Sequence, residues 1–596
     1  MQIVTKKYPF CPCSLGFALY YCLTVKRLFI LIGIIHASSA FAQSNDKGQF
    51  SGNLITNYQK YVRDDKIGAN TKVYLEGSNS LESWLNMNYR INGYTFTVRY
   101  DGFFNSPLLN PIGSYTDHGI GYWQINKKLE KLDLTIGSFY DQLGSGLLFR
   151  AYEQRRIGID YAIQGARAEY EINEHLRVKA FAGNQKGNID DRFGYAKQVI
   201  SGANIEGNTS LNKIQITGGL SALNRTLTSD DRQSIIETIK GYDVNERFIP
   251  KHNVYGGNAY VNIVRNALSV NVEYVKKSKE SMLIDNKWQN KEGQILYGAI
   301  GWGKSGINMG TYRRGTKKGK ARDKASIGIN IQARHMDHFV IKTSPSEQLL
   351  NGLISYMPSL TKQNTYRLLA RYNAPAQEIG ENGIQAEIDI KPNKKTKINL
   401  NGSYVQSAEA NGINGSPQLL FRELNGQVIQ KINKNIKLKL GLQSIEYNQA
   451  VYEQEVDYDN VQTFTPFGEL NVKIRPSKRK KNGRKRPSKN IRLEVQVLNT
   501  DRDQGSFANI ITEFSFNSNF TLAVGDMVNY APHRYENMNI TDEILHYPSV
   551  FASYNSGRNI FSLAYLKQQA GVNCSGGICR VEPAFSGVRF TMNSNF

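Results

Sequence analysis

AFSGVRFTMNSNF, residues Ala584 to Phe596, closes the chain and alternates between apolar and polar side chains. In an extended strand, successive side chains point to opposite faces. The apolar face would carry Ala584, Val588, Phe590, Met592 and Phe596. The polar face would carry Arg589, Thr591, Asn593 and Asn595. This pattern is typical of a transmembrane β-barrel strand with lipid on one side and water on the other.

The last residue adds a second signal. An aromatic residue at the end of an amphipathic closing strand resembles the C-terminal sequence that the assembly machinery of bacterial outer-membrane β-barrels recognises. The residues that would carry this assembly signal are Phe590, Met592 and Phe596. The resemblance implies a bacterial outer-membrane location, with the barrel assembly machinery as a partner during insertion.

The amino terminus has the pattern of an export signal. Lys26 and Arg27 precede an apolar run over residues 28–35, and small residues mark a cleavage point before Gln43. The run is much shorter than the roughly 20 residues that a membrane-spanning helix needs, so a cleaved signal peptide is the better interpretation. Translation would then begin near Val25.

These boundaries divide the chain into three parts. We expect residues 1–42 to be a signal peptide with an N-terminal extension, residues 43–70 to be a short arm or first strand, and residues 71–596 to be the barrel.

Alternation runs along the whole chain and separates a barrel from a soluble sheet. Segments such as 85–91, 132–136, 268–274, 436–443 and 491–497 each place apolar residues at every second position. A soluble β-sandwich would show only a few strands of this kind. We therefore predict an all-β transmembrane antiparallel barrel of about 26 strands, with a range of roughly 20–26, because pattern alone does not fix strand ends.

The composition fits an exported barrel. Aromatic residues make up 11% of the chain although the mean hydropathy is only −0.45, because a barrel hides its apolar residues at alternate positions. The formal net charge is +23. Export excludes nucleic acid as a partner, so the expected counterions are lipopolysaccharide phosphates, anionic solutes or acidic proteins.

Turn residues suggest a topology. Short polar links, among them Asn92-Gly93, Gly303–Gly306 and Asn433–Asn435, alternate with long connections such as 224–251, 278–293 and 407–418. Short turns belong to the periplasmic side of such barrels and long loops to the outside. Residues 337–363 fall on the periplasmic side of this count although they are long, so either a strand is miscounted there or a segment folds inward.

The early start of the strands bears on function. Strand-like sequence begins by about Thr71, and this leaves no room for the N-terminal plug that members of the TonB-dependent transporter family carry. We therefore expect a barrel without a plug of that type.

One stretch suits the interior of a pore. The segment LGSGLLFRAYEQRR, from Leu143 to Arg156, places charged and aromatic residues on a loop opened by glycines. An inward-folded loop of this composition selects solutes by charge. The alternative is a salt-bridged plug that merely closes the barrel. The candidate constriction residues are Arg150, Tyr152, Glu153, Arg155 and Arg156.

A basic run suits contact with a partner. Residues 476–489 contain basic side chains and no acidic one, and the count places them in the periplasm, where ordinary turns are short. The alternative is a solvated loop. The candidate partner-binding residues are Lys478, Arg479, Lys480, Lys481, Arg484, Lys485, Arg486 and Lys489. A second basic run, Arg313 to Arg322, would be extracellular and face lipopolysaccharide phosphates.

Cys574 and Cys579 lie in the loop before the closing strand. The periplasm is oxidising, so a disulfide within this loop is expected, and two thiols alone do not make a metal site. The sequence around them, residues 574–587, together with residues 143–155 and 160–167, resembles an uncharacterised family of outer-membrane barrels from Bacteroidota. The resemblance implies the barrel fold and the envelope location, and it brings no activity.

Catalysis has little support in the sequence. Asp141 and Glu153 could pair as carboxylates, but no nucleophile with a histidine accompanies them. His335 and His338 would point to opposite faces of a strand, which speaks against a metal site. We therefore expect no enzyme, no cofactor and no metal. Two functions stay open: a channel or solute transporter, and a non-conducting accessory or scaffold barrel of an envelope secretion or assembly machine.

Overall fold

The computed structural model describes residues 48–110, 113–187, 191–307, 325–347, 351–409, 416–453, 459–475, 488–532, 543–575 and 578–596. The expected signal peptide, residues 1–42, lies outside them. So do the basic run from Arg313 to Arg322 and most of the basic run over residues 476–489, from Lys478 to Arg486.

Twenty-four strands of the described residues form one closed antiparallel barrel. In chain order the first twelve are β1 Gln49–Tyr61, β2 Asn79–Ile91, β3 Tyr94–Ser106, β4 Tyr115–Lys128, β5 Leu132–Phe139, β6 Ile163–Asn173, β7 Leu176–Lys186, β8 Tyr195–Leu211, β9 Ile214–Thr226, β10 Asn253–Arg265, β11 Leu268–Ile284 and β12 Lys287–Ile307. The other twelve are β13 Ala325–Asp337, β14 Gly380–Lys391, β15 Thr396–Ser407, β16 Leu419–Lys431, β17 Ile436–Tyr447, β18 Val461–Ile474, β19 Lys489–Leu498, β20 Ser506–Ser515, β21 Phe520–Ala531, β22 Leu545–Ser556, β23 Asn559–Gln568 and β24 Phe585–Asn595.

The barrel closes between its first and last strands. In β1 and β24 the register pairs Tyr58 with Phe590 and Gln59 with Arg589. The closing strand therefore has the predicted alternation, because Arg589 hydrogen-bonds to Gln59 inside the barrel and Phe590 lies on the outer face. The prediction of an all-β transmembrane barrel is confirmed, and the strand count falls within the predicted range.

The outer face is apolar and the inner face is largely polar. Large apolar side chains stay exposed at outward positions, for example Ile136, Leu220, Leu424 and Leu440. In water, so continuous an apolar surface would drive association, whereas lipid tolerates it. The alternation exists because each strand residue faces either lipid or the interior, while the backbone groups of the strands bond to neighbouring strands.

The two rims of the barrel differ. We call one the turn rim, because tight turns such as Asn92-Gly93, Asn212-Lys213 and Asn266-Ala267 connect its strands. Asn92, Asn212 and Asn266 have positive φ, which two-residue hairpin turns require and which asparagine tolerates. Both ends of the barrel, at Gln49 and Asn595, lie on this rim. The opposite rim, the loop rim, carries the long connections.

Two predicted connections are wrong. Residues 303–306, predicted as a turn, lie inside β12, where Gly303 pairs with Gly328 of β13. Residues 278–293, predicted as a loop, form the hairpin of β11 and β12 around Asp285 and Asn286. Glycine and polar residues resemble turns in sequence, but here both neighbouring strands pair with them. Because a turn was wrongly placed at residues 303–306, the prediction put the connections before and after β13 on the wrong rims.

The correction moves two long connections. Strands β12 and β13 end and begin at the turn rim, so the described residues on either side of Arg313 to Arg322 lie at that rim, opposite to the one that the strand count predicts. Conversely, residues 338–379 depart from the loop rim, because β13 runs towards it and β14 returns from it.

Helices are few and short in the described part of the chain. They are α1 Lys72–Glu76, α2 Ser229–Ile239 and α3 Gln449–Tyr452. Thr228 caps α2, and its side chain and that of Asp231 bond each other's backbone N–H groups. Among the described residues no helix has the length and apolar character needed to cross a membrane.

Candidate functional site in the barrel interior

Two connections of the loop rim fold into the barrel instead of away from it. We call residues 140–162 the first luminal segment and the described residues between 338 and 379 the second luminal segment. The strands on either side of each segment are direct partners, since Phe139 pairs with Ile163 and Asp337 pairs with Gly380. Each segment thus enters and leaves the barrel at one point of the rim.

Two small hairpins shape the first luminal segment. Asp141–Leu143 pairs with Phe149–Ala151, and Glu153–Gln154 pairs with Ile159–Asp160. Gly144 turns the chain with a φ of 58° directly against the wall. A Cβ atom there would lie 2.6 Å from Nδ2 of Asn258, so only glycine allows this approach.

An apolar cluster holds the first segment in place. Leu143, Leu147, Leu148 and Phe149 are almost fully buried against inward side chains of the wall, and the Phe149 ring lies 4.6 Å from that of Phe181. Burial of one such side chain stabilises a fold by about 1.5–3 kcal/mol. The cluster also includes Phe339, Ile341 and Ile354 of the second segment, so the two segments pack against each other.

A buried ionic cluster ties the first segment to the wall. Arg99 of β3 contacts three carboxylates: Asp101 at 2.7 Å, Glu153 at 2.8 Å and Asp160 at 2.6 Å. Lys186 of β7 lies 2.9 Å from Asp160. Two of these acids, Glu153 and Asp160, belong to the luminal segment, whereas Asp101 and both cations belong to the wall.

The ionisation of Asp160 follows from this setting. Burial alone would raise its pKa, but the positive charges of Lys186, Arg99 and Arg192 together hold the pKa of Asp160 well below its ordinary value. Tyr140 also donates a hydrogen bond to Asp160 over 2.8 Å. The carboxylate is therefore charged wherever the protein is folded near neutral pH, and it keeps the segment bound to both cations.

The predicted constriction residues all lie on the first luminal segment. The Arg150 guanidinium lies over the rings of Tyr152 and Tyr356, at 5.0 and 4.2 Å, and so links the two segments. Glu153 bonds Arg99 and Arg155, and Arg156 is exposed. The proposed pairing of Asp141 with Glu153 is absent from this arrangement, because Asp141 bonds Arg167 and Lys179 of the wall.

The second luminal segment crosses the other half of the barrel on polar contacts and on buried apolar side chains, among them Leu360, Leu368 and Tyr372. Lys362 bonds Asn399 and Asn425, Tyr366 donates to Glu469 over 2.7 Å, and the Leu368 N–H donates to Gln496 over 2.8 Å. The wall partners are inward residues of β15, β16, β18 and β19. They are polar side chains, which bond this segment as they would bond water or a solute.

Arg371 anchors the end of this segment to the loop rim. Its guanidinium lies 2.8 Å from Asp503 and bonds Gln569 over 3.0 Å, and Tyr372 donates to the same carboxylate. Burial would lower the pKa of Arg371, but Tyr372 and Asp503 raise it above its ordinary value, so it stays charged.

Sequence reasoning missed the wall side of this site. Arg99, Asp101 and Lys186 lie in ordinary alternating strands, and nothing local marks them as partners of the first luminal segment. Residues 358–377 were missed because their apolar residues recur with neither the period of a strand nor that of a helix. The only signal was that this long connection disagreed with the strand count.

The other predicted sites lie away from the interior. The backbone register pairs Cys574 with Cys579 across a small hairpin of Gly571–Ser575 and Ile578–Glu582, and the disulfide stays a prediction. Lys489 begins β19 at the turn rim, beside the basic run. Phe590 and Met592 lie on the outer face of the closing strand.

The described residues include one group of three possible metal ligands, Asp337, His338 and Glu409. Asp337 lies 2.5 Å from Nδ1 of His338 and Glu409 lies 3.5 Å from Nε2. These nitrogens point in different directions, so the two carboxylates contact opposite sides of one imidazole. His335 faces outward and bonds Asn382.

Residues 24–596 match a family described as a family of unknown function, DUF6029, and the chain belongs to that family. No curated protein sequence matches the chain.

Several solved structures are similar in fold. The translocation pore of the P pilus usher PapC is 8% identical over 92% of this chain and 99% of that chain, with a TM-score of 0.38. The siderophore receptor PirA from Pseudomonas aeruginosa is 8% identical over 93% and 81%, with a TM-score of 0.37. OccAB3 from Acinetobacter baumannii is 8% identical over 92% and 99%, with a TM-score of 0.35. These similarities concern the barrel architecture alone.

Proposed function

We propose that this protein is an outer-membrane channel or solute transporter whose passage is closed at rest by the two luminal segments. The observation that carries the proposal is their attachment to the wall. A barrel of this circumference encloses space that must be filled if it is not to conduct. Here the filling comes from connections that enter at one point of the rim and bond polar wall residues.

The contacts suit a closure that can be released. The second segment holds the wall through hydrogen bonds of Lys362, Tyr366 and Leu368, which water or a polar solute can replace, and through buried apolar side chains such as Leu360 and Tyr372. Both segments bury apolar side chains, but the ionic cluster of the first segment is almost fully buried, whereas the Arg371–Asp503 pair of the second is partly exposed. We therefore assign the second segment as the movable part and Arg150, Tyr152, Glu153, Arg155 and Arg156 as the fixed boundary of the passage.

The closure differs from a plug placed before the barrel. Both luminal segments lie between barrel strands, and β1 begins at Gln49. We propose that these internal segments do the work that a separate N-terminal domain does in TonB-dependent transporters.

Solute uptake into proteoliposomes tests this function. The variant replaces residues 340–378 with a short glycine-serine linker, which can close the hairpin because Asp337 and Gly380 are direct partners. We expect slow uptake of small polar solutes by the wild-type protein and rapid uptake by the variant. A matched control deletes residues 478–487 at the turn rim and should behave as the wild type. Equal uptake by all three proteins would contradict the proposal.

A filled interior also supports a second candidate function, a non-conducting accessory or scaffold barrel of an envelope machine. The basic residues from Lys478 to Lys489 follow β18 in sequence and end at the first residue of β19, and the turn rim, where these two strands end and begin, would face the periplasm. Their charge fits an acidic envelope protein. Deletion of residues 477–489 should then abolish co-purification of a partner, whereas an autonomous pore would lose no partner.

The side of the membrane can be checked separately. We propose that the turn rim is periplasmic and that lipid and lipopolysaccharide surround the outer face. A cysteine at Ser488 should then resist an impermeant thiol reagent in intact cells. Labelling without disruption of the outer membrane would place this rim outside and would remove the argument for a periplasmic partner.

A further inference from the structure

The second luminal segment places one ammonium group against side-chain oxygens of the barrel wall. Nζ of Lys362 donates to Oδ1 of Asn399 and, over 2.9 Å, to Oδ1 of Asn425. Asn399 belongs to β15 and Asn425 to its neighbour β16, and both side chains are almost fully buried. The wall residues around this ammonium group, which we call the ammonium cradle, are Glu387, Asp389, Asn399, Glu423 and Asn425.

Carboxylates of the neighbouring strand hold the amide of Asn399 in one orientation. Its Nδ2 donates to Glu387 over 2.7 Å and to Asp389 over 3.2 Å, and both acids belong to β14. Its Oδ1 accepts from Lys362 and, over 3.3 Å, from Gln427. An amide oxygen is an acceptor and an ammonium group only donates. Because the carboxylates occupy the amide nitrogen, the oxygen is the atom that Asn399 presents to a cation.

Glu423 adds a buried negative charge beside these oxygens. Its carboxylate is almost fully buried and accepts from Gln443 Nε2 over 2.8 Å and from Asn401 Nδ2 over 3.1 Å. The backbone N–H of Lys362 donates to it over 3.2 Å. Hydrogen bonds from N–H groups stabilise the charged form of a carboxylate. Glu423 therefore holds the backbone of the segment and contributes its charge to the same site.

The charges around Lys362 favour a cation at this point. Burial lowers the pKa of Lys362, whereas the carboxylates of Glu387, Glu423 and Asp389 raise it. Lys397 lowers it as well, but the Lys397 ammonium group is itself paired with Asp389 at 3.0 Å. The wall thus contributes three carboxylates and one ammonium group to the site. The second segment supplies a further positive charge.

A solute can take over the contacts of Lys362 one for one. Withdrawal of the segment would remove the donor that Asn399 and Asn425 share and a positive charge near Glu423. Loss of such partners is costly for polar groups in a barrel interior. A primary ammonium group of a solute supplies the same N–H donors and the same charge, so its entry restores both. Arrival of such a solute is thereby coupled to release of the segment.

We propose that the ammonium cradle is a binding site for small solutes that carry a primary ammonium group, and that Lys362 fills it as a tethered substitute while the passage is closed. The site itself is argued from the contacts of the wall, whereas its place in transport rests on the proposed function. A solute that binds there displaces Lys362 and releases the second segment.

Chemical rescue of Lys362→Ala tests the site without any measurement of transport. The substitution removes the ammonium group with the chain that carries it, and n-propylammonium has the same heavy atoms as the part removed. We expect hydrogen exchange over residues 358–372 to be faster in this variant than in the wild type. Added n-propylammonium should slow the exchange again in a saturable manner.

Two further compounds separate the chemistry of the site from its shape. The first, n-propanol, is similar in size and uncharged, and the second, tetramethylammonium, has the charge but no N–H donor. Neither should slow the exchange at the concentrations at which n-propylammonium acts. Glu387→Gln, added to Lys362→Ala, should weaken the rescue several-fold, because it removes a charge of the cradle and keeps an oxygen for Asn399.

The matched control is Glu171→Gln in the same Lys362→Ala background. Glu171 is an exposed carboxylate of β6, where it pairs in register with Arg177 of β7, away from the cradle. It should leave the rescue unchanged.

Potassium currents in planar bilayers test the place of the site in transport. The protein is the variant in which a glycine-serine linker replaces residues 340–378, so that Lys362 is removed and the cradle faces the lumen. We expect n-propylammonium in the bath to reduce the current in a saturable manner, and tetramethylammonium to reduce it less at equal concentration. Glu387→Gln should weaken this block several-fold, and Glu171→Gln should not.

Three results would overturn the assignment of the site: unchanged exchange in Lys362→Ala, no rescue of a correctly folded Lys362→Ala barrel, or equal rescue by n-propanol. A block that is equal for both cations, or that does not depend on Glu387, would overturn the solute class and leave the proposed function intact. Absence of conductance in every variant would instead reject the proposed function, and the rescue would still decide whether the site exists.

Discussion

The ring of Phe596 lies on the outer face of the barrel directly over Gly52, and this contact seals the junction between the first and last strands. Gly52 N–H donates to the Phe596 carbonyl over 2.9 Å, and Phe596 N–H donates back over 3.0 Å. A Cβ atom on Gly52 would lie 2.2 Å from the ring. The terminal aromatic residue, which the sequence marks as part of an assembly signal, thus packs in the space that Gly52 leaves free because it has no side chain.

Gly52→Val should weaken barrel closure. The added side chain displaces the terminal ring, and overpacking of this kind costs about 1–3 kcal/mol. Urea unfolding, followed by heat-modifiable migration in gels, should show a lower midpoint. Gly298→Val is the matched control, because a Cβ atom at Gly298 would meet nothing within 4 Å. Equal midpoints for both variants would show that the ring contact does not contribute.

Val272→Arg should destabilise the barrel much more than Asn271→Arg. Val272 is outward and 40% exposed, whereas its neighbour Asn271 faces the interior. An arginine that faces lipid near the middle of the bilayer costs about 2–4 kcal/mol. Folding yield in detergent and in lipid measures the difference. Similar yields would mean that the outer face does not contact lipid.

The alternation on which this test depends was readable from the sequence, and so were the barrel and its approximate size. Side-chain parity is a local property, because each residue faces either lipid or the interior. The turn at residues 303–306 could not be excluded in the same way. Glycine and serine permit a turn, and only the pairing of Gly303 with Gly328 on the next strand shows that the strand continues.

The interior was only half predictable. The first luminal segment is unusual by composition, with glycines beside arginines and aromatic residues, so its inward folding could be inferred from its chemistry. Its partners could not, because Arg99 and Lys186 reach Asp160 only after strands far apart in sequence become neighbours. The second segment depends entirely on such long-range contacts.

Asp160→Asn should release the first luminal segment. The substitution removes a buried negative charge from Arg99 and Lys186, and the loss of one partner of a buried ion pair costs about 3–5 kcal/mol. Hydrogen exchange should increase over residues 140–162. Asp117→Asn, at an exposed position of β4, should leave exchange there unchanged. Unchanged exchange in Asp160→Asn would contradict the assigned role of the ionic cluster.

The same carboxylate predicts a pH dependence. The pKa of Asp160 is lower in the folded protein than in the unfolded chain, so its stabilising contribution is present above the ordinary aspartate value and is lost as the pH falls. We expect the first segment to stay closed between about pH 5 and 8 and to loosen below about pH 4. Hydrogen exchange at several pH values should show this loosening at low pH in the wild type and not in Asp160→Asn. An equal increase of exchange at low pH in both proteins would show that other groups cause it.

Cys574 and Cys579 should form a disulfide in protein isolated from the oxidising envelope. Their backbone positions are direct partners in a hairpin, which is the arrangement that a cross-strand disulfide needs. Mass spectrometry of the intact protein should show the loss of two hydrogens, restored by reduction. Full labelling by a thiol reagent before reduction would show that the pair is free.

The claim that the protein is a passage closed by its own chain is tested most directly by single-channel conductance in planar bilayers. The wild-type protein is compared with a variant in which linkers replace residues 141–161 and 340–378, between strands that already pair at Phe139 with Ile163 and Asp337 with Gly380. We predict a wild-type protein that is mostly closed and a variant with a large, steady conductance. A correctly folded variant that remains closed, or a wild-type protein that conducts as well as the variant, would contradict the account.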